Sequence, residues 1–200
     1  MIIRDLLDLA KQEFQNDSFQ IGRLELHIKI LQNLLDSGRI HNQNSALSEA
    51  ELLMIILLEE DGSDIIQDIA CGNVSSNSYF DALIELMDSA ISKCNRTIHN
   101  VLYRQEKHWD KPLNEGDIIH FASYLTTSKE DFDNTPNIKW IITPLDNSKT
   151  KAHDIYTVYN HGDTTPYPEF QVEFERGATF VVSKIVEKDK IKEVYIEEII

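Results

Sequence analysis

The amino-acid sequence predicts an α+β fold, with a helical N-terminal region followed by a mostly antiparallel β region. Three observations carry this expectation. Apolar residues recur at helical spacing up to about residue 95. Proline first appears at Pro112. From residue 96 onward, β-branched and aromatic residues come in short runs separated by turn residues. The 200 residues suit one domain, or one domain with a helical extension, and a hydrophobic content of 42% is enough to bury a core.

The helices are expected in this order. Leu6, Leu7, Leu9, Ala10 and Phe14 form the first apolar face. Ile21, Leu24, Ile28, Leu31 and Leu35 form an i, i+3, i+4 stripe that Gly38 stops. Ser48 and Glu51 are spaced for a capping box at the start of a third helix. Its apolar run, Leu52 to Leu58, is too short to cross a bilayer, and Asp61-Gly62 ends it. A short helix is expected over Ile65 to Ala70. A longer one runs from about Tyr79 to Lys93, with Phe80, Leu83, Leu86, Met87, Ala90 and Ile91 inward. Strands are expected at Ile98–Arg104, Asp117–Phe121, Ile138–Thr143, Ile155–Tyr159, Phe170–Glu175, Thr179–Ile185 and Lys192–Ile199. Turn-forming residues separate them, as at Lys111-Pro112 and Gly162 to Pro168.

Charge and motif content narrow the function classes. The chain carries 19 basic and 34 acidic residues, a formal net charge of −15. Phosphate recognition needs clustered Lys and Arg, so a general nucleic-acid or anionic-membrane binder is disfavoured. Cys71 and Cys94 match neither a zinc knuckle nor a CxxC pair. The N-terminal MIIRDLLDLAKQEF lacks the basic-then-apolar order of a signal peptide. A reducing, cytoplasmic location is expected, with no membrane partner. The seven histidines form neither an HExxH nor a Cys/His pattern, so no metal is expected. GxGxxG, P-loop and GxSxG motifs are absent.

Three segments remain. Val101-Leu102-Tyr103-Arg104 closes one strand. Leu113-Asn114-Glu115-Gly116-Asp117 leads into Thr126-Thr127-Ser128. Pro168 to Phe180 reads PEFQVEFERGATF. In this order the segments resemble the Arg–Ser–Glu clan of mono-ADP-ribosyltransferases. There, an aromatic-Arg strand end precedes an L-x-x-G-D run, a Ser-Thr-Ser strand, and a Glu-x-Glu or Gln-x-Glu segment before a glycine turn. The helices LSEAELLMIILLEEDGSDIIQDI and LIELMDSAISK share the resemblance, which spans about residues 47–200. Residues 1–46 fall outside it as a helical extension, either a packing layer or a target- or inhibitor-binding module. The transferase-like domain would hold helices to about residue 95 and a β core over 96–200.

The resemblance implies a two-sheet ADP-ribosyltransferase-type core, NAD as co-substrate and no metal. It implies that Arg104, beside Tyr103, grips the NAD pyrophosphate through paired, charge-assisted hydrogen bonds. Thr126 takes a structural and nicotinamide-side role, Thr127 orients the catalytic carboxylate, and Ser128 supports the site. Lys149 and Lys151 are candidates for lying near the phosphates. Cleavage of the nicotinamide–ribose bond develops oxocarbenium charge, which a carboxylate near the ribose 2′-hydroxyl stabilises.

The clan's glutamate lies six residues before the turn glycine, and counting back from Gly177 gives Gln171. Two registers are open, and the first is favoured. In the first, Glu169-Phe170-Gln171 is a Glu-x-Glu motif whose catalytic Glu has become Gln; it needs no deletion, and Phe180 keeps the clan's aromatic position. In the second, Gln171-Val172-Glu173 is a Gln-x-Glu motif with a shortened link. Residues 169, 171 and 173 share a strand face, so alternation does not choose between them. In the first register Glu169 is the acceptor-side acid, which in the clan accompanies arginine acceptors. The segment His161 to Pro168, with Tyr167, occupies the clan's substrate-recognition loop.

The expected function is an NAD-dependent mono-ADP-ribosyltransferase acting on a macromolecule, with protein arginine first and the first register making the chain inactive through Gln171. Such an enzyme would serve as a toxin, effector or phage factor, with an inhibitor or antitoxin as a second partner. A silent NAD- or partner-binding protein on the same fold, a transferase acting on nucleic acid, and an unrelated α+β interaction protein are the alternatives.

Overall fold

A computed structural model describes residues 1–15, 17–40, 46–59, 68, 71–73, 75–107, 109, 111–131, 137–158, 170–188 and 191–200. They form two compact units. One contains Met1–Cys94 and a return segment that begins at Thr157; the other contains Asn95–Tyr156 and the C-terminal stretch to Ile200.

The first unit is helical, with α1 (Ile3–Glu13), α2 (Ser18–Asp36), α3 (Glu49–Glu59) and α4 (Ser78–Lys93). Asp17 caps α2 through the Phe19 N–H, and Asn77 caps α4 through the Phe80 N–H. The capping box of α3 forms as expected: Ser48 donates its N–H and hydroxyl to Glu51 Oε2, and the Glu51 N–H reaches Ser48 Oγ. Leu52 to Leu58 are all buried, so α3 is the apolar centre of this unit. The inward face of α4 is the one expected. The buried line of α2 differs from expectation. It follows Leu24, His27, Leu31 and Leu34, leaving Leu35 exposed. His27 takes part because its Nδ1 lies 2.8 Å from the Arg23 carbonyl, which satisfies the ring where an apolar pattern shows a gap. The helix expected over 65–70 lies outside the described residues except at Asp68, which is helical. No helix among the described residues is long and apolar enough to cross a membrane.

The second unit is a sheet of β1 (Leu102–Glu106), β2 (Ile118–Phe121), β3 (Leu125–Ser128), β4 (Ile138–Thr143), β5 (Ala152–Asp154), β6 (Gln171–Phe174), β7 (Ala178–Lys188) and β8 (Ile191–Ile199). The strand order is β2-β7-β8-β4-β1-β3-β6-β5. Two sheets were expected; the strands instead form one hydrogen-bonded series. The β4–β8 ladder is parallel and the other ladders are antiparallel. The series is thinnest between β1 and β3, which meet only at Tyr103↔Ser128. A sheet loosely joined at one pair leaves backbone and side chains free to line a recess there. Its apolar core holds Trp140, Phe174 and Phe180, with Leu102, Val172 and Val194 around them.

Two strand expectations need correction. The first strand spans 102–106 rather than 98–104, because its ladder to β4 begins at Leu102↔Ile142, while Ile98 is 77% exposed. Residues 155–158 are not a strand: pairing with β6 stops at Asp154, and Ile155 and Val158 are buried around a turn, while Tyr159 lies outside the described residues. β-Branched residues such as Ile155 and Val158 favour strands, but burial at a turn satisfies them equally. Gly177, in the β6–β7 turn, has φ of +74°, which restricts the position to glycine more than any crowding does.

Candidate active site

All four residues of β6 are buried, although two are polar. Val172 and Phe174 point into the apolar core, so alternation turns Gln171 and Glu173 to the opposite face. The β3–β6 register sets Ser128 opposite Gln171 and Thr126 opposite Glu173. Thr126 Oγ1 donates to Glu173 Oε1 at 3.3 Å. The second carboxylate oxygen, Oε2, is buried with no hydrogen-bond partner among the described residues. Burial pushes the Glu173 pKa up to about 7; the Thr126 hydroxyl, the Arg104 charge and the Gln171 amide only partly oppose this.

Arg104 lies on β1, on the other side of β3 from Glu173. Its Nη1 donates to the Thr126 carbonyl at 2.9 Å and its Nε to Glu106 Oε1 at 2.7 Å. Glu106 is itself held by the Trp140 indole, 3.3 Å from Oε2. The guanidinium is therefore fixed on two edges, and Nη2 keeps its donors for a ligand. Tyr103, Arg104, Gln105, Thr126, Thr127, Ser128 and Gln171 line a recess of ≈ 130 Å³ at the thin β1–β3 seam. That volume suits one ring or sugar of a larger ligand rather than all of it.

A larger cavity, ≈ 410 Å³, opens in the helical unit and is lined in part by Glu51 and Lys93. Its Glu51 and Lys93 are already paired with each other at 2.6 Å. Burial pushes the Glu51 carboxyl up, but hydrogen bonds from Lys93, Ser89 and Ser48 outweigh it and hold the pKa near 2. Convergent polar groups, not size, therefore mark the recess in the sheet as the site.

The fold brings Tyr103, Arg104, Thr126, Thr127, Ser128 and Gln171 together, with Glu173 against Thr126. The hydroxyl that meets the Glu173 carboxylate is that of Thr126. Thr127 Oγ1 donates instead to the Val172 carbonyl at 2.7 Å, because successive strand residues face opposite ways. Glu169 and Tyr167 lie outside the described residues, as does the segment 161–168. Lys151 Nζ donates to the Gly177 carbonyl, which commits one of its donors to the turn. Glu106 was missed. The signal for it was the Arg-x-Glu spacing, which sets both side chains on one face of a strand. Among the described residues no His, Cys, Asp and Glu cluster is arranged to hold a metal ion.

Neither a protein-family model nor a curated protein matches the sequence. Solved structures do match it. The type III effector XopAI of Xanthomonas axonopodis pv. citri aligns over 99% of this chain and 83% of its own, at 14% identity and a TM-score of 0.72. Plx2a, an ADP-ribosyltransferase toxin from Paenibacillus larvae, aligns over 86% of this chain and 96% of its own, at 16% identity and a TM-score of 0.62. This chain has the ADP-ribosyltransferase fold. A third structure with that fold is exoenzyme S of Pseudomonas aeruginosa, solved with human 14-3-3 protein beta and carba-NAD; it covers 98% of this chain and 88% of its own, at 14% identity and a TM-score of 0.65.

Proposed function

We propose that the chain is an NAD-dependent mono-ADP-ribosyltransferase of the Arg–Ser–Glu clan, in the register Gln171-Val172-Glu173, with Glu173 as its catalytic carboxylate. The observation that carries this reading is a buried carboxylate with one oxygen held by Thr126, the other without a partner among the described residues, and the Arg104 charge close by. Native structures rarely leave such an oxygen unpaired without a functional reason.

The chemistry assigns each residue a task. The free edge of Arg104 binds the pyrophosphate of NAD, and Glu106 and the Thr126 carbonyl keep the guanidinium aimed. Glu173 Oε2 accepts a hydrogen bond from the ribose 2′-hydroxyl. As the nicotinamide–ribose bond breaks, its electron pair leaves with nicotinamide, and the carboxylate stabilises the cationic sugar. The acceptor's nucleophilic atom then bonds to the anomeric carbon and gives its proton to solvent. Gln171 lies on the acceptor side. A neutral amide can orient an acceptor but cannot serve as a general base. We therefore propose a protein side chain other than arginine, which replaces the arginine expectation tied to the first register. Protein is preferred to nucleic acid because of the −15 charge. A toxin or effector role, with a neutralising inhibitor as partner, is in keeping with the company of Plx2a and XopAI.

One observation favours a second reading. Gln171 lines the recess, whereas Glu173 is fully buried. Under the first register Gln171 occupies the catalytic position and the chain binds NAD without turnover. Incubation with labelled NAD and a cell lysate separates the two. Transfer by the wild-type chain that is lost in Glu173→Gln supports the proposal. Transfer that appears only in Gln171→Glu supports the second reading and overturns the first.

A further inference from the structure

We propose that Lys129 is a positioning residue that locks the point where the chain enters β6 and thereby fixes Gln171 at the recess wall; this rests on the reading of the recess as the NAD site. Phe170, just before Gln171, has φ of +42°, and it is the positive-φ residue other than glycine among those described. A side chain at that φ is strained, and such strain persists only where surrounding contacts over-determine it.

Those contacts converge on Lys129. Its own N–H donates to the Phe170 carbonyl at 3.1 Å, and the Tyr156 N–H donates to the Gln171 carbonyl at 3.1 Å. The carbonyls of both residues at the junction are therefore held. The Tyr156 ring lies 4.8 Å from that of Phe170. The Lys129 ammonium joins the pieces: Nζ is 2.5 Å from Asp154 Oδ2 and 5.2 Å from the centre of the Tyr156 ring. Only 13% of the Lys129 side chain and 13% of the Asp154 side chain are exposed. A lysine there is not a solvated surface cation, since it gives up most of its hydration for one carboxylate and one ring. Asp154 ends β5, and Lys129 follows Ser128 directly. One side chain thus ties the ends of β3 and β5 to the start of β6. If Phe170 relaxes to negative φ, the first residue of β6 rotates and Gln171 turns from the wall.

The test compares Lys129→Met, which keeps the stem and loses the charge, with Lys129→Arg, which keeps the charge. Transfer of labelled ADP-ribose from NAD to lysate protein is measured with kcat and KM for NAD separated. Lys129→Met should lower kcat about tenfold to a hundredfold, the range for a small misplacement of a reacting group. KM for NAD should stay within about twofold, because Arg104 is untouched, and Lys129→Arg should restore most of the rate. Asp154→Asn, which removes the ion pair and keeps the shape, should give the same split if Lys129→Met fails to fold. A lower melting temperature with unchanged kcat would make the role merely structural and overturn the proposal. If the wild-type chain cleaves no NAD, the proposed function fails, and crystal structures of wild type and Lys129→Met decide the rest. Phe170 leaving positive φ and Gln171 leaving the wall supports the lock; both staying in place overturns it.

Discussion

Replacing Glu173 with Gln should make the protein more stable above neutral pH while removing its activity. Burial raises the Glu173 pKa from 4.5 to about 7. In the unfolded chain the group ionises near its ordinary value. Below about 4.5 both states hold the proton and burial carries no ionisation penalty. As the pH rises from 4.5 to 7 the unfolded state gives up its proton first, so folding stability falls. Above 7 the loss is constant, and at about 1.4 kcal/mol per pKa unit it amounts to roughly 3 kcal/mol. Glutamine does not titrate, and its carbonyl can still accept from Thr126. The stability of Glu173→Gln relative to wild type should therefore grow by roughly 3 kcal/mol between mildly acidic and mildly alkaline pH. Urea unfolding followed by tryptophan fluorescence suits the measurement, because both tryptophans, Trp109 and Trp140, lie in the sheet unit and report on it alone. A stability difference that does not change with pH would refute the reasoning.

Three further outcomes follow from the same geometry. Thr126→Val removes a hydrogen bond that favours the charged form of Glu173, so the acid limb of kcat/KM should move to higher pH; an unmoved limb in pH–rate profiles would detach Thr126 from the carboxylate. Glu51 is the reverse case. Its pKa is held near 2, so its contribution is complete above about 4.5 and is lost as the pH falls toward 2; Glu51→Gln should destabilise the helical unit at neutral pH by about 2 kcal/mol, a loss that shrinks in acid, as thermal melts at a series of pH values would record. Gly177→Ala places a side chain at φ of +74°, and should lower sheet stability by about 1–2 kcal/mol without crowding any neighbour closely, measured by urea unfolding.

Much of this architecture was legible in the residues. The capping box at Ser48 and Glu51, the inward face of α4 and the strand at 138–143 follow from local patterns that the fold does not override. Failures came where partners far along the chain decide. Ile155 and Val158 look like strand residues until the ladder of β6 is seen to end at Asp154. His27 breaks an apolar stripe only because its bond to the Arg23 carbonyl is invisible in composition. At the site, Arg104, Thr126 and Ser128 could be named from motifs, and the structure brings them together with Gln171. Whether position 171 or 173 holds the catalytic role could not be read from the motifs. Positions 171 and 173 share a face by alternation, and only the β3–β6 register sets Glu173 against Thr126. Lys129 acts through Asp154 at the end of β5, so no spacing along the chain singled out its partner.

Nicotinamide release from NAD across pH, compared between wild type and Glu173→Gln, tests the central claim most directly. The account predicts turnover by the wild-type chain that rises through an acid limb near pH 7 and is lost in Glu173→Gln. Turnover that survives in Glu173→Gln would contradict it.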